Sequence, residues 1–332
     1  MPAHRPALTP AVLEKGICSG DRTLLARAIT MAESTKPVDQ KKISSLLKRL
    51  LPRTGKSIRI GITGVPGVGK STFIEVFGEL LARQGKKIGV LTVDPTSQKT
   101  KGSILGDKTR MERLSRHPNV FIRPSPTGHA LGGVTFHTRE AILLCEAAGF
   151  DVILIETVGV GQSETIVRGM VDFFLLLVLA GAGDELQGIK KGIMEMADGI
   201  VVTKADGENI KAAKQAQADA LQALHFQEAP ASGWKPKVLT TSSTEGKGIE
   251  AVWKMIEDFE MNTKKSGYFG TNRNDQQEQW LEESVALLFN ELMHHSTVLK
   301  QKTRLMKLVR KNQLLPTEAA QVLWKLVRKT AG

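Results

Sequence analysis

Apolar positions along the chain follow three regimes. Up to about residue 50 they recur at helical spacing, with Leu24, Leu25, Ala28, Ile29 and Ala32 on one face and SSLLKRLL following. From residue 57 to about 260, short apolar runs alternate with amphipathic stretches. SIRIGIT, KIGVLTV, NVFIRP, DVILIE, DFFLLLVLA, GIVVTK and KVLTTS read as strands, with helices over Ser71 to Gln84 and Arg139 to Gly149. Several of these strands are unbroken apolar runs, which is what a parallel sheet covered on both faces requires. Alternation with helices predicts a doubly wound α/β domain with a mostly parallel sheet. From about residue 276 the helical period returns. Leu281, Val285, Leu288 and Leu292 make one stripe, Pro316 interrupts, and TEAAQVLWKLVRK resumes. Tyr268 to Gln276, polar and holding Gly and Asn, reads as a connector. The predicted division is a helical N-terminal extension over 1–50, an α/β domain over 51–262 and a helical C-terminal arm over 263–332.

Composition narrows the class. At 41% hydrophobic and 24% charged, the chain is that of a folded soluble protein. Its net charge of +12 favours acidic partners such as phosphate, nucleic acid or an acidic protein face, or else a solvated basic surface. The two cysteines, Cys18 and Cys145, have no metal-like spacing, which points to a reducing compartment. The longest apolar run, Phe173 to Ala182, falls short of the roughly 20 residues a membrane span needs. The expectation is a cytoplasmic protein without a membrane partner.

The first chemical motif is GVPGVGKS, Gly64 to Ser71, which fits G-x-x-x-x-G-K-[ST] between a strand and a helix. Gly64, Gly67 and Gly69 let the backbone turn close to phosphate, and the loop Gly64, Val65, Pro66, Gly67, Val68, Gly69, Lys70, Ser71 and Thr72 forms an anion cradle ending on a helix N-terminus. Lys70 offers a point charge to the β and γ phosphates, and Ser71 a hydroxyl to Mg²⁺. A chance glycine-rich turn is the bland alternative, and motif plus context disfavours it. Such a metal needs carboxylates nearby. Glu156, ending DVILIE before TVGVGQSE, reads as a metal ligand. For Asp94, ending KIGVLTVD, and Asp107, in SILGDKTRM, the residues leave metal binding and helix capping both open. Gly159 and Gln162 stand in a loop of the kind a γ-phosphate orders. Gln187 and Lys190 lie in a second glycine-rich loop, AGAGDELQGIKKG, which by composition alone is an ordinary exposed loop.

The stretch VVTKAD, residues 201 to 206, addresses the base. A carboxylate at Asp206 can accept from the N1–H and N2–H₂ groups of guanine, and adenine, lacking that donor pair, would leave it unpaired. The methylenes of Lys204 can lie over the ring. Thr203 stands where Asn is usual and keeps a hydroxyl for bracing. TTSS, with Ser242 and Ser243, followed by Thr244, can bound the base edge. The order of these motifs along the chain is the order guanine-nucleotide-binding domains use.

Taken together, GITGVPGVGKST, VDPTSQKTKGSILGDKTRM, FIRPSPTGHALGG, LLCEAAGFDVILIETVGVGQSE and GAGDELQGIKKGI resemble the MeaB/ArgK family of GTPase chaperones of adenosylcobalamin-dependent acyl-CoA mutases such as methylmalonyl-CoA mutase. The resemblance covers roughly residues 20 to 260. It implies a P-loop G domain that hydrolyses GTP to GDP, with Lys70, Asp107 and Glu156 catalytic and Ser71, Asp94, Asp107 and Glu156 around Mg²⁺. It makes Gly159, Gln162, Gln187 and Lys190 switch residues, the helical ends a homodimer interface, and the function gating of cofactor loading and reactivation of the mutase. Relatives of this lineage also carry Thr in T-K-x-D. Three rivals remain to be weighed. A small-molecule kinase needs an acceptor pocket and usually ATP. A metal-delivery GTPase needs clustered soft or imidazole ligands, and the adjacent His294 and His295 point in different directions on a helix. A nucleic-acid binder is suggested by KQKTRLMKLVRKN, which has no interleaved aromatics.

Overall fold

The structure is a computed structural model, and it describes residues 8–93, 111–124, 131–157, 163–179, 191–225 and 230–331. Seven parallel strands form one sheet: β1 (Ile58–Gly64), β2 (Ile88–Val93), β3 (Val120–Arg123), β4 (Val152–Thr157), β5 (Phe173–Leu179), β6 (Gly199–Thr203) and β7 (Lys237–Thr240). Their spatial order is β3-β2-β4-β1-β5-β6-β7, with every neighbouring pair parallel. The doubly wound, parallel α/β fold read from the sequence is therefore the observed one. The chain lays β2, β3 and β4 to one side of β1 and then crosses to β5 on the other. That reversal opens a crevice at the carboxyl end of β1, where ligands of such sheets bind.

The helices are α1 (Pro10–Cys18), α2 (Arg22–Ala32), α3 (Pro37–Leu50), α4 (Lys70–Arg83), α5 (Glu112–Ser115), α6 (Leu131–Ala147), α7 (Ser163–Arg168), α8 (Lys191–Glu195), α9 (Ile210–His225), α10 (Ile249–Ser266), α11 (Tyr268–His294), α12 (Ser296–Arg310) and α13 (Pro316–Ala331). On one face of the sheet, Phe73 and Phe77 of α4 pack with Phe173 and with Trp253 and Phe259 of α10. On the other, α1 to α3 and α6 bury Ile17, Ile29, Leu46 and Leu144 against Ile153, Ile155 and Phe174. Consecutive Phe173 and Phe174 thus feed opposite cores, as strand pleating dictates. Among the described residues no helix is long and apolar enough to cross a membrane.

The chain divides into two compact units, one up to Gln276 and one from Gln277. The predicted connector at Tyr268 to Gln276 is instead the beginning of α11. Tertiary bonding overrides its weak helix propensity. Arg273 donates from Nε to Asp172 Oδ1 and from Nη2 to Asp172 Oδ2, each at 2.7 Å, from Nη1 to the Gly55 carbonyl at 2.7 Å, and from Nη2 to the Ser57 carbonyl at 2.6 Å. Its guanidinium lies over the Phe269 ring, 4.6 Å from the centroid. Gln276 Nε2 donates to the Val171 carbonyl at 2.7 Å. Asp172 also accepts from the Arg59 backbone N–H at 2.8 Å. One buried carboxylate therefore ties the leading ends of β1 and β5 to the root of α11. In the second unit, α12 and α13 pair as a hairpin around Val298, Leu305, Ala319 and Val327. Pro316 opens α13 rather than breaking a helix, since a first helical position needs no N–H partner.

Removing the arginine strands a nearly solvent-free carboxylate, a class of change that costs about 3–5 kcal/mol. Arg273→Ala is expected to shift the urea unfolding midpoint down accordingly. Arg273→Lys should recover only part, because one ammonium cannot reproduce the planar fork. Equal stability of Arg273→Ala and the parent chain would rule out this anchoring role.

Candidate nucleotide site

β1 runs without a break into the glycine-rich loop. Gly64 has φ 151°, and a Cβ there would stand 2.5 Å from the Leu177 carbonyl oxygen. No other residue fits beside β5 at that point. Gly67 and Gly69 have φ of 83° and 95°, the left-handed values the turn demands. Val68 is fully buried and pins the loop to the core. α4 starts at Lys70, and the Phe73 N–H already bonds the Gly69 carbonyl at 2.8 Å. Backbone N–H groups of Lys70, Ser71 and Thr72 thus open the helix without intrahelical partners, which makes that end an anion site.

The Lys70 ammonium donates to the carbonyls of Gly64 at 2.7 Å and Val65 at 3.2 Å. Burial holds its pKa below the ordinary lysine value, opposed by the charges of Glu156 and Glu164. Ser71 Oγ donates to Glu156 Oε1 at 3.1 Å. Beside them Thr157 Oγ1 donates to Thr63 Oγ1 at 2.8 Å, joining β4 to β1. Ser71 and Glu156 offer hard oxygens next to the phosphate cradle, the donor type Mg²⁺ takes. Glu164, buried on the first turn of α7, is a carboxylate the sequence reading passed over. Asp94, Asp107, Gly159, Gln162, Gln187 and Lys190 lie outside the described residues. Among the described residues no group of three or more His, Cys, Asp or Glu could hold a metal ion.

The end of β6 meets the same loop. Thr203 Oγ1 lies 2.8 Å from the Val68 carbonyl and 3.2 Å from the Val178 carbonyl, a hydroxyl bracing loop and β5 together. The bracing expected of Thr203 is therefore present and buried. Lys204 adopts φ 56° and its Nζ donates to the Gly67 carbonyl at 3.0 Å. Asp206 projects beyond it. Ser242 Oγ donates to Asp206 Oδ2 at 2.5 Å and Thr244 Oγ1 donates to the same oxygen at 2.8 Å. These bonds, Ser242 foremost, hold its carboxyl below the usual aspartate range.

The loop after β7 is built to present those hydroxyls. Ala205 N–H bonds the Thr241 carbonyl at 3.0 Å, and Ser242 N–H the Lys247 carbonyl at 3.0 Å. Gly248, at φ 78°, closes the turn where a Cβ would lie 2.3 Å from the Thr240 carbonyl oxygen. The sequence reading did not single out Gly248, although TEGKG signals a turn. It placed Ser242, Ser243 and Thr244 at the base. Of these the structure brings Ser242 and Thr244 onto the Asp206 carboxylate itself. Ser243 is half-buried between them.

The chain matches the family model "Methylmalonyl Co-A mutase-associated GTPase MeaB" over residues 25–301. A protein of Mycobacterium bovis named as a probable GTPase is 49% identical over 319 residues, covering 96% of this chain and 95% of that one. The mouse "Methylmalonic aciduria type A homolog, mitochondrial" is 44% identical over 327 residues, covering 94% and 78%. A solved structure described as a LAO/AO transport system kinase superposes with a TM-score of 0.77 at 37% identity, covering 98% of this chain and all of that one.

A carboxyl held low stays ionised as pH falls, so its acceptor function is lost only below the ordinary aspartate range. Ser242→Ala with Thr244→Val should move the acid loss of guanine-nucleotide affinity to higher pH, as read by titration with a fluorescent GDP analogue. Coincident pH curves for variant and parent would remove the clamp from the account of the site. Thr203→Val should weaken GTP and GDP alike, and Thr203→Ser should restore both.

Proposed function

The chain belongs to the MeaB family of methylmalonyl-CoA mutase-associated GTPases, and on that footing we propose that it is a GTP-hydrolysing chaperone of an adenosylcobalamin-dependent acyl-CoA mutase. In this reading it gates loading of the cobalamin cofactor and protects or reactivates the mutase, methylmalonyl-CoA mutase or a close relative. It works in the cytoplasm as a homodimer. The observation that carries the nucleotide half is the clamp of Ser242 and Thr244 on Asp206, beside a phosphate loop braced by Thr203.

The chain's own residues divide the work as follows. Gly64 to Thr72 receive the phosphates on backbone N–H groups. Lys70 leaves the carbonyls of Gly64 and Val65 for the β and γ phosphates and neutralises charge on the transferring phosphoryl group. Ser71 and Glu156, with Asp94 and Asp107, would hold Mg²⁺, which would supply further neutralisation of phosphate charge. Asp107 orients a water whose oxygen bonds to the γ-phosphorus as the bridging P–O bond breaks, releasing GDP and phosphate. Asp206 accepts from guanine N1–H and N2–H₂, and Lys204 lies along the ring. Gly159, Gln162, Gln187 and Lys190 relay the nucleotide state to the mutase.

A small-molecule kinase would share the loop and the metal. The Asp206 clamp favours the guanine reading over that one, because its paired acceptors suit a donor edge that adenine lacks.

Lys70→Ala is expected to abolish hydrolysis of GTP in a phosphate-release assay. Asp206→Asn should trade GTP for xanthosine triphosphate, since the amide now donates where the carboxylate accepted. Undiminished GTP affinity in that variant, or ATP turnover equal to GTP turnover, would refute the base assignment. Co-elution with purified acyl-CoA mutases, with GDP and with a non-hydrolysable GTP analogue, tests the partner. A chain that binds none of them in either state is not their chaperone.

A further inference from the structure

Helix α7 is the next described element after β4. Its first turn carries the buried Glu164, and its last residue is Arg168. The Arg168 guanidinium lies against Asp198, immediately before β6, with Nη1 3.3 Å from Oδ2 and Nη2 donating to Oδ1 at 3.4 Å.

Asp198 is buried and firmly placed. Its Oδ2 accepts from the Phe174 backbone N–H at 2.8 Å, and its own N–H donates to the Phe174 carbonyl at 2.9 Å. Trp234 Nε1 donates to the Asp198 backbone carbonyl at 2.8 Å. β5 and the segment before β7 thus set the carboxylate, and what it offers α7 is a charge at a fixed point. Just past the helix, Arg139 of α6 donates from Nη2 to the Gly169 carbonyl at 3.2 Å, a second tie on the same end.

Underneath, α7 meets a strand with no side chain in the way. A Cβ at Gly61 of β1 would stand 3.0 Å from Val167 Cγ1 and 3.1 Å from Val171 Cγ2. The helix therefore rides closely on the strand that leads into the glycine-rich loop at Gly64. Glu164 is one helical turn before Arg168, so whatever fixes the arginine also fixes the height of that carboxylate. Burial lowers the pKa of the Lys70 ammonium, and the charges of Glu156 and Glu164 oppose that loss.

We propose that Arg168 and Asp198 are positioning residues for GTP hydrolysis, holding α7 so that Glu164 keeps its place toward Lys70 while the γ-phosphoryl group passes to water. This rests on the assignment of Lys70 to the phosphates and adds a charge pair that is no part of the cradle. A pair that merely held the fold would treat GDP and GTP alike. A positioning pair acts on turnover, because Lys70 neutralises charge on the transferring group, and GDP has no such group.

The pair has a pH signature of its own. Burial pushes the Asp198 carboxyl up to about 6, opposed by Arg168 and the Phe174 N–H, while Asp172 adds to the rise. Among the described residues the charged groups facing it are Arg168 from α7 and Asp172 just ahead of β5, and the segment before β7 presents the neutral Trp234 indole. Above that pH the carboxylate holds Arg168. As pH falls through it, the added proton removes the hold.

The test is steady-state GTP hydrolysis by the full chain, read beside its affinity for GDP. Arg168→Gln is expected to lower kcat about tenfold with the Kd for GDP unchanged within about twofold, and Arg168→Lys to recover kcat to within about threefold of the parent. Asp198→Asn, whose amide oxygen can still accept from Phe174, should match Arg168→Gln, and the two changes together should be no worse than either alone. The kcat advantage of the parent over Asp198→Asn should shrink toward none between about pH 8 and about pH 5. A parent that hydrolyses GTP while Arg168→Gln keeps full kcat overturns the positioning role and leaves the GTPase reading standing. GDP affinity lost in step with kcat, additive losses in the double variant, or a kcat advantage that does not move with pH overturns it too, and assigns the pair to folding alone. A parent without GTP turnover sinks both readings.

Discussion

Strand β1 is held at both ends, and the site exists because of it. At its start, Asp172 accepts from the Arg59 backbone while Arg273 bonds the carbonyls of Gly55 and Ser57. At its finish, Gly64 turns against the Leu177 carbonyl so tightly that only hydrogen fits as a side chain. Between these points the strand lies between β4 and β5 with both faces covered. A loop hung on a strand fixed in this way has little freedom to drift. Its amides can wait in place for charge, which is the condition for strong electrostatic stabilisation.

The second organising element is the hydroxyl of Thr203. It reaches the glycine-rich loop at Val68 and the neighbouring strand at Val178, so the end of β6 and that loop share one anchor. Lys204 adds a second tie to Gly67. Asp206 then needs support only from one side, and the loop after β7 provides it. Three loops from β1, β6 and β7 are thereby stitched into a single surface by side chains no longer than lysine.

Much of this was legible in the sequence because its signals are local. Unbroken apolar runs mark strands buried on both faces, and the loop motif spells out glycines where backbone must turn and lysine where charge is needed. The bracing role of Thr203 could be anticipated from its place at a strand end. The role of Arg273 could not. Its partners lie more than 100 residues away in sequence, and its own neighbourhood, with Gly270, Asn272 and Asn274, is spelled like a linker. Asp172 and Glu164 were equally silent, since a buried carboxylate is written with the same letter as an exposed one. The order of motifs set Ser242 and Thr244 near Asp206, and both are bonded to it. That they hold the aspartate needed the turn closed by Gly248.

The resting position of Lys70 carries a consequence for selectivity. Its ammonium is satisfied by two loop carbonyls, so the cradle contains an internal competitor. An arriving anion must displace those carbonyls and match them. A lone phosphate brings few oxygens to that exchange. A polyphosphate offers more of them to the amides and the lysine together. The same two hydrogen bonds that hold the lysine therefore set a threshold that any anion taking their place has to match.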